Sequence, residues 1–179
     1  METAVRDIER VLHRVKARQL KAVEDAILRS DRVFVTGLGR TGLMARGFAM
    51  RLMHLGRKVY HVGDVITPRI QKRDLLIICS RTGRSKVLSH YVRIARKVKA
   101  RVVVVTARED SPAAEKADVV LGINDKMSRR ANGDGRPRPP LGSLFEQALL
   151  IVLDQVVIDL MQALDLTEAD MARIHTGFE

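Results

Sequence analysis

Apolar positions along the chain alternate between two spacings. From Ala4 to Leu28, Val5, Ile8, Val11, Leu12, Val15, Leu20, Val23 and Ile27 recur mostly every three or four residues. That period predicts one amphipathic N-terminal helix within residues 1–30. Short apolar, β-branched runs follow at Arg32–Thr36, Lys58–Val62, Asp74–Ser80, Arg101–Thr106 and Asp118–Ile123, and each reads as a strand. Between them, Leu43–Leu55, Gly83–Lys99 and the short Pro112–Lys116 carry helical spacing. Strands that are apolar throughout and alternate with helices specify a parallel sheet covered on both faces. The expected fold class is therefore α/β: a doubly wound, five-stranded parallel sheet in the flavodoxin-like order 2-1-3-4-5.

The pattern lapses at 124–140. This stretch holds three of the five prolines, two glycines and five basic residues, and reads as a long polar loop. Residues 141–179 return to helix. Leu141–Leu164 is strongly apolar, and Thr167 with Asp170 three positions on predicts a capped final helix. The whole of 1–179 reads as a single domain.

Composition narrows the class. The chain has 179 residues, 46% hydrophobic and 30% charged, enough to bury a core without staples. Its one cysteine, Cys79, excludes an intramolecular disulfide and a cysteine-based zinc site. No apolar run reaches the roughly 20 residues of a membrane span, and Met1–Lys21 is too charged for a secretory signal, so a cytoplasmic protein without membrane association is expected. The net charge of +11 raises nucleic acid as a partner. With 3% aromatic residues, no tryptophan and no nucleic-acid-binding motif, that partner is not the expectation. The charge is also polarised: residues 1–100 carry +15 and residues 141–179 carry −6. Such asymmetry lets the two ends of identical subunits attract one another.

Two segments combine the features of an anion site. Gly37-Leu38-Gly39-Arg40-Thr41-Gly42 and Ser80-Arg81-Thr82-Gly83-Arg84-Ser85 each sit between a strand's carboxyl end and a helix. Glycines admit close backbone approach, helix N-termini offer free N–H groups, and small hydroxyls add donors. In the expected strand order, strands one and three flank the crevice where order reverses, so both turns face one site. Gly37, Gly39 and Gly42 also fit a dinucleotide fingerprint, with Asp64 ending the second strand. That reading lacks a second nucleotide-binding half and leaves the Ser80–Ser85 turn without a role.

The second turn resembles the phosphate loop of the sugar-isomerase (SIS) domain, Ser-x-Ser-Gly-x-Thr, matched in residue type by Ser80, Thr82, Gly83 and Ser85. Phe48–Gly56, Val62–Pro68, Asp74–Ile77, Leu141–Glu146 and the tail around His175 are similar to segments of the 6-phospho-3-hexuloisomerases. The resemblance implies an enzyme of the ribulose monophosphate pathway that interconverts 3-hexulose 6-phosphate and fructose 6-phosphate through an enediol. It implies no cofactor, a homo-oligomer and specifically a tetramer. The implied sugar-phosphate contacts are Gly39, Arg40, Thr41, Ser80, Arg81, Thr82, Gly83 and Ser85.

Glu146 and His175 are the expected catalytic residues. Glu146 opens a long apolar helix after the polar loop, where a carboxylate serves as general base or simply as a first-turn acid favoured by the helix dipole. His175 matches a tail histidine that, in related isomerases, enters a neighbouring subunit's site. His54 reads as packing or interface, His61 as a residue near the crevice, and His13 and His90 as surface positions. Cys79 reads as a buried small hydrophobe. Departures from the family pattern are Arg81 where Gly or Gln is usual, Asp64 for Glu, Lys86, and a loop one residue shorter after Ser85. Arg81 is expected to bring a bulky cation into the cradle, strengthening phosphate binding or hindering the sugar. The alternative function is therefore a sugar-phosphate sensor of the same fold that performs no turnover.

Overall fold

A computed structural model describes residues 2–126 and 141–177. Five strands, β1 (Val33–Gly37), β2 (Val59–His61), β3 (Leu75–Cys79), β4 (Arg101–Thr106) and β5 (Val119–Gly122), form one sheet in the order β2-β1-β3-β4-β5. All four pairings are parallel. The expected topology is observed, and β1 and β3 lie side by side at its centre.

The helices are α1 (Glu2–Leu12), α2 (Ala17–Leu28), α3 (Gly39–His54), α4 (Lys86–Lys97), α5 (Ser143–Ala163) and α6 (Glu168–Ile174). Alternate strand residues point to opposite faces. Val33, Val35, Leu75, Ile77, Cys79, Val103 and Val105 pack with α3 and α5 and with residues of α1 and α2. Phe34, Leu76, Ile78, Val102 and Val104 pack against α4 and Ala113–Ala114. Among the described residues, no helix is long and apolar enough to cross a membrane.

Several local outcomes differ from the sequence pattern. The single helix expected within 1–30 is two, with Lys16 extended (φ −87°, ψ 120°) between them. The three-to-four rhythm slips to a step of five between Val15 and Leu20. The intervening Gln19 turns to the sheet, donating to Glu109 at 2.8 Å and accepting from the Gly122 N–H at 3.1 Å. The helix expected from Gly83 starts at Lys86, because Gly83 is left-handed (φ +61°) and Ser85 caps the helix by accepting from the Leu88 N–H. Pro112–Lys116 contributes one 3₁₀ turn, Ala114–Lys116. The predicted Thr167–Asp170 capping box is formed, and each side chain accepts from the other's backbone N–H. Most of the expected 124–140 loop lies outside the described residues.

Candidate active site

The two turns singled out by composition are neighbours because their strands are. Gly37 at the end of β1 is in register with Cys79 at the end of β3. A Cβ on Gly37 would come within 3.0 Å of the Cys79 carbonyl oxygen, and one on Gly42 within 2.6 Å of the Gly37 carbonyl oxygen. Gly39 takes φ +56°, a conformation L side chains rarely adopt. The three glycines thus let β1 turn straight into α3, which starts at Gly39 rather than at the expected Leu43. Thr41 is buried in the first turn, and Arg40 projects with two-thirds of its side chain exposed.

The Ser80–Ser85 turn is organised by its own hydroxyls. Ser80 Oγ accepts from the Gly83 N–H at 3.1 Å and Thr82 Oγ1 from the Arg84 N–H at 3.4 Å. Ser85 Oγ accepts from the Leu88 N–H at 3.4 Å. A Cβ on Gly83 would overlap the hydroxyl of Ser111, so the turn tolerates no side chain there. The result is a compact run of hydroxyls and backbone N–H groups at the start of α4, the composition an oxyanion binds.

Glu146, in the first turn of α5, meets the glycine turn. Its carboxylate is buried, and Oε2 accepts from Arg40 Nε at 2.6 Å. The glycine turn and the α5 acid therefore meet. Arg81 does not stand free in the cradle as its sequence position suggested. Its Nε donates to Asp125 Oδ2 at 2.5 Å, and its side chain lies along Gly142, where a Cβ would approach Arg81 Cδ to 2.8 Å. The attraction is the Asp125 carboxylate, whose side chain is only 3% exposed just past β5 and needs a cation beside it. Arg81 consequently joins the phosphate-type turn, the end of β5 and the N-cap of α5. Asp125 was not foreseen, since a lone acid at a loop boundary carries no periodic signal.

His175 is elsewhere in the chain. It is the C-cap of α6, and its ring stacks on His54 at 4.9 Å between centroids. His54 ends α3, whose 16 residues span about 24 Å from the glycine turn. One chain does not bring His175 to Glu146. Burial lowers the pKa of His54, and His175 and Arg51 add to the effect. His61 is largely buried at the end of β2, and neither ring nitrogen has a hydrogen-bond partner. Nδ1 lies 3.4 Å from Asp64, too poorly aligned to bond. Burial lowers the His61 pKa too, with Arg46 contributing and Asp64 opposing. Asp64 is committed to Arg46, at 2.8 and 3.3 Å, and the hydrogen bond from Arg46 holds its carboxyl below the ordinary range. Cys79 is fully buried with its thiol pushed up to about 12, which agrees with a packing role.

A sequence model of the SIS domain matches residues 26–133. The chain belongs to the SIS domain family. It is 37% identical over 155 residues to the 3-hexulose-6-phosphate isomerase of Bacillus subtilis, covering 87% of this chain and 84% of that protein. It is 34% identical over 157 residues to the 3-hexulose-6-phosphate isomerase of Methanocaldococcus jannaschii, covering 88% and 82%. A Methanococcus jannaschii crystal structure, described as inferring a 3-hexulose-6-phosphate isomerase function, superposes with a TM-score of 0.85. Its identity is 30%, with 98% of this chain and 97% of that chain covered. As an SIS domain, the chain carries its two ligand-type turns on the adjacent carboxyl ends of β1 and β3.

Proposed function

We propose that this SIS-domain protein is an isomerase interconverting 3-hexulose 6-phosphate and fructose 6-phosphate. The observation that carries the reading is Glu146: a buried carboxylate held at 2.6 Å by Arg40 of the glycine turn, whose strand β1 lies beside the strand β3 that leads into the turn of hydroxyls and N–H groups. The similarity to 3-hexulose-6-phosphate isomerases over most of the chain supports the choice of sugar.

In this mechanism the 6-phosphate docks on Ser80, Thr82, Gly83 and Ser85, while Arg81, paired with Asp125, braces the turn. Gly39, Arg40 and Thr41 border the sugar from the β1 side. Glu146 takes the proton from C3 of fructose 6-phosphate, leaving a 2,3-enediol, and a proton returned to C2 moves the carbonyl to C3. Carbon gains and loses one proton, so no redox partner enters the balance. Arg40 fixes the carboxylate over the reacting carbons. His175 donates to the sugar oxygens from a neighbouring subunit, in a cytoplasmic homotetramer.

The test is direct conversion of 3-hexulose 6-phosphate, with the appearance of fructose 6-phosphate read by a coupled assay. Turnover lost in Glu146→Gln supports the assignment. A wild-type protein that binds fructose 6-phosphate yet converts neither sugar favours the sensor.

A further inference from the structure

The chain enters α5 by a backbone that needs holding. Leu141 (φ +52°) and Gly142 (φ +88°) are both left-handed, Leu141 is fully exposed, and Gly142 has no side chain with which to cap the helix. A non-glycine residue in that conformation persists only where its surroundings over-determine it. What lies on this entry is Arg81. Its Cδ, Nε and Cζ stand 2.8, 3.2 and 3.8 Å from the place a Cβ on Gly142 would take, so the arginine covers the glycine.

The same side chain is fixed on its other side. Nε donates to Asp125 Oδ2, on a carboxylate buried just past β5. Asp125 Oδ1 is also buried and accepts from no group among the described residues, so the carboxylate depends on Arg81. The backbone of Arg81 is anchored separately: its carbonyl accepts from the Ala107 N–H at 3.1 Å and from the Thr106 hydroxyl at 3.3 Å. With Ser80 Oγ holding the Gly83 N–H, the turn keeps its shape without the Arg81 side chain. The effect of the Arg81–Asp125 pair therefore falls on α5. Glu146 is one step further, for its N–H donates to the Gly142 carbonyl at 3.2 Å.

We propose, on the isomerase reading above, that Arg81 is a positioning residue: clamped by Asp125, it sets the Gly142 entry of α5 and through it the place of Glu146 relative to the phosphate turn. Arginine suits the task, because its planar guanidinium donates along one edge while its flat face covers the glycine. Arg40 holds the Glu146 carboxylate from the β1 side, and Arg81 holds the helix that carries it from the β3 side. Base and phosphate turn sit on separate elements, where a misplacement of about 1 Å costs on the order of a hundredfold in rate.

The experiment compares Asp125→Asn with the double variant Arg81→Gln, Asp125→Asn. The double variant removes both charges together, so no carboxylate is left buried alone and the fold is kept, as circular dichroism checks. Asparagine at 125 still offers an oxygen to Arg81 and is the conservative control. In the double variant kcat is expected to fall roughly tenfold or more, with KM for fructose 6-phosphate within about twofold of the parent. Amide exchange at Glu146, read by NMR, is expected to quicken about fivefold or more, since its bond to Gly142 opens more often. Asp125→Asn is expected to keep most of the parent kcat and the parent exchange. Arg81→Lys keeps a cation for Asp125 without the Nε donor, and is expected to split kcat from KM in the same direction even if the double variant does not fold. Parent kcat and parent exchange in the double variant overturn the proposal, and so does a rise in KM at unchanged kcat, the mark of a phosphate ligand. A wild-type protein without turnover, whose Glu146 exchange still quickens in the double variant, upholds the brace on α5 and overturns the isomerase reading.

Discussion

Arg40 and Glu146 stand 106 residues apart in the chain, and their side chains meet at 2.6 Å, tying the first turn of α3 to the first turn of α5. The pair joins the glycine turn, which packs against the end of β3, to a buried carboxylate of α5. Glu146→Gln keeps the shape and a polar group for Arg40 while removing the base. Isomerisation is expected to fall roughly 10²–10⁴-fold, with the melting temperature and fructose 6-phosphate affinity nearly unchanged. Turnover at the parent rate would exclude Glu146 as the base.

The phosphate turn separates binding from folding. Thr82→Ala removes a hydroxyl on an exposed turn and is expected to weaken phosphate binding with little change in stability. Ser85→Ala also removes the α4 cap, so it is expected to cost about 0.5–2 kcal/mol as well. Calorimetric titration with fructose 6-phosphate, beside urea melts, distinguishes the two. Unaltered affinity in both variants would exclude this turn as the anion site.

Gly42→Ala is expected to be strongly destabilising, by about 2 kcal/mol or more, because its Cβ would press on the Gly37 carbonyl oxygen at 2.6 Å. Gly47→Ala is the contrasting substitution, with open space around the new methyl. It is expected to be neutral or mildly stabilising. Urea melts of both test the pair of expectations.

His54 and His61 make stability depend on pH. Both folded pKa values lie below the ordinary histidine value, chiefly through burial. The unfolded chain therefore binds more protons as pH falls through about 6.5, and stability drops in that direction. It is fully present above this range. The melting temperature is expected to fall between pH 7.5 and 5.5, and to fall less in His54→Gln. An identical slope in that variant would exclude His54 as a contributor.

Much of this arrangement was legible in the sequence. Strand runs such as Leu75–Cys79 are apolar because both faces of a central strand are buried, and that alone indicates parallel pairing. The glycines at 37, 39 and 42 announced a close turn, and the strand order set it beside Ser80–Ser85. Other features had no local signature. The break between α1 and α2 depends on Gln19 finding Glu109 and Gly122, about a hundred residues away. The diversion of Arg81 depends on Asp125, which is remote in sequence and buried only by the fold. The His54–His175 stack likewise brings together positions that no spacing relates.

Solvent exchange at carbon tests the central claim most directly. Fructose 6-phosphate is incubated with the protein in heavy water and followed by NMR. Deuterium at C3, absent with Glu146→Gln, is the predicted result, because the proposed enediol forms by loss of that proton. Bound sugar with no label at any carbon, or label at C1 alone, would contradict it.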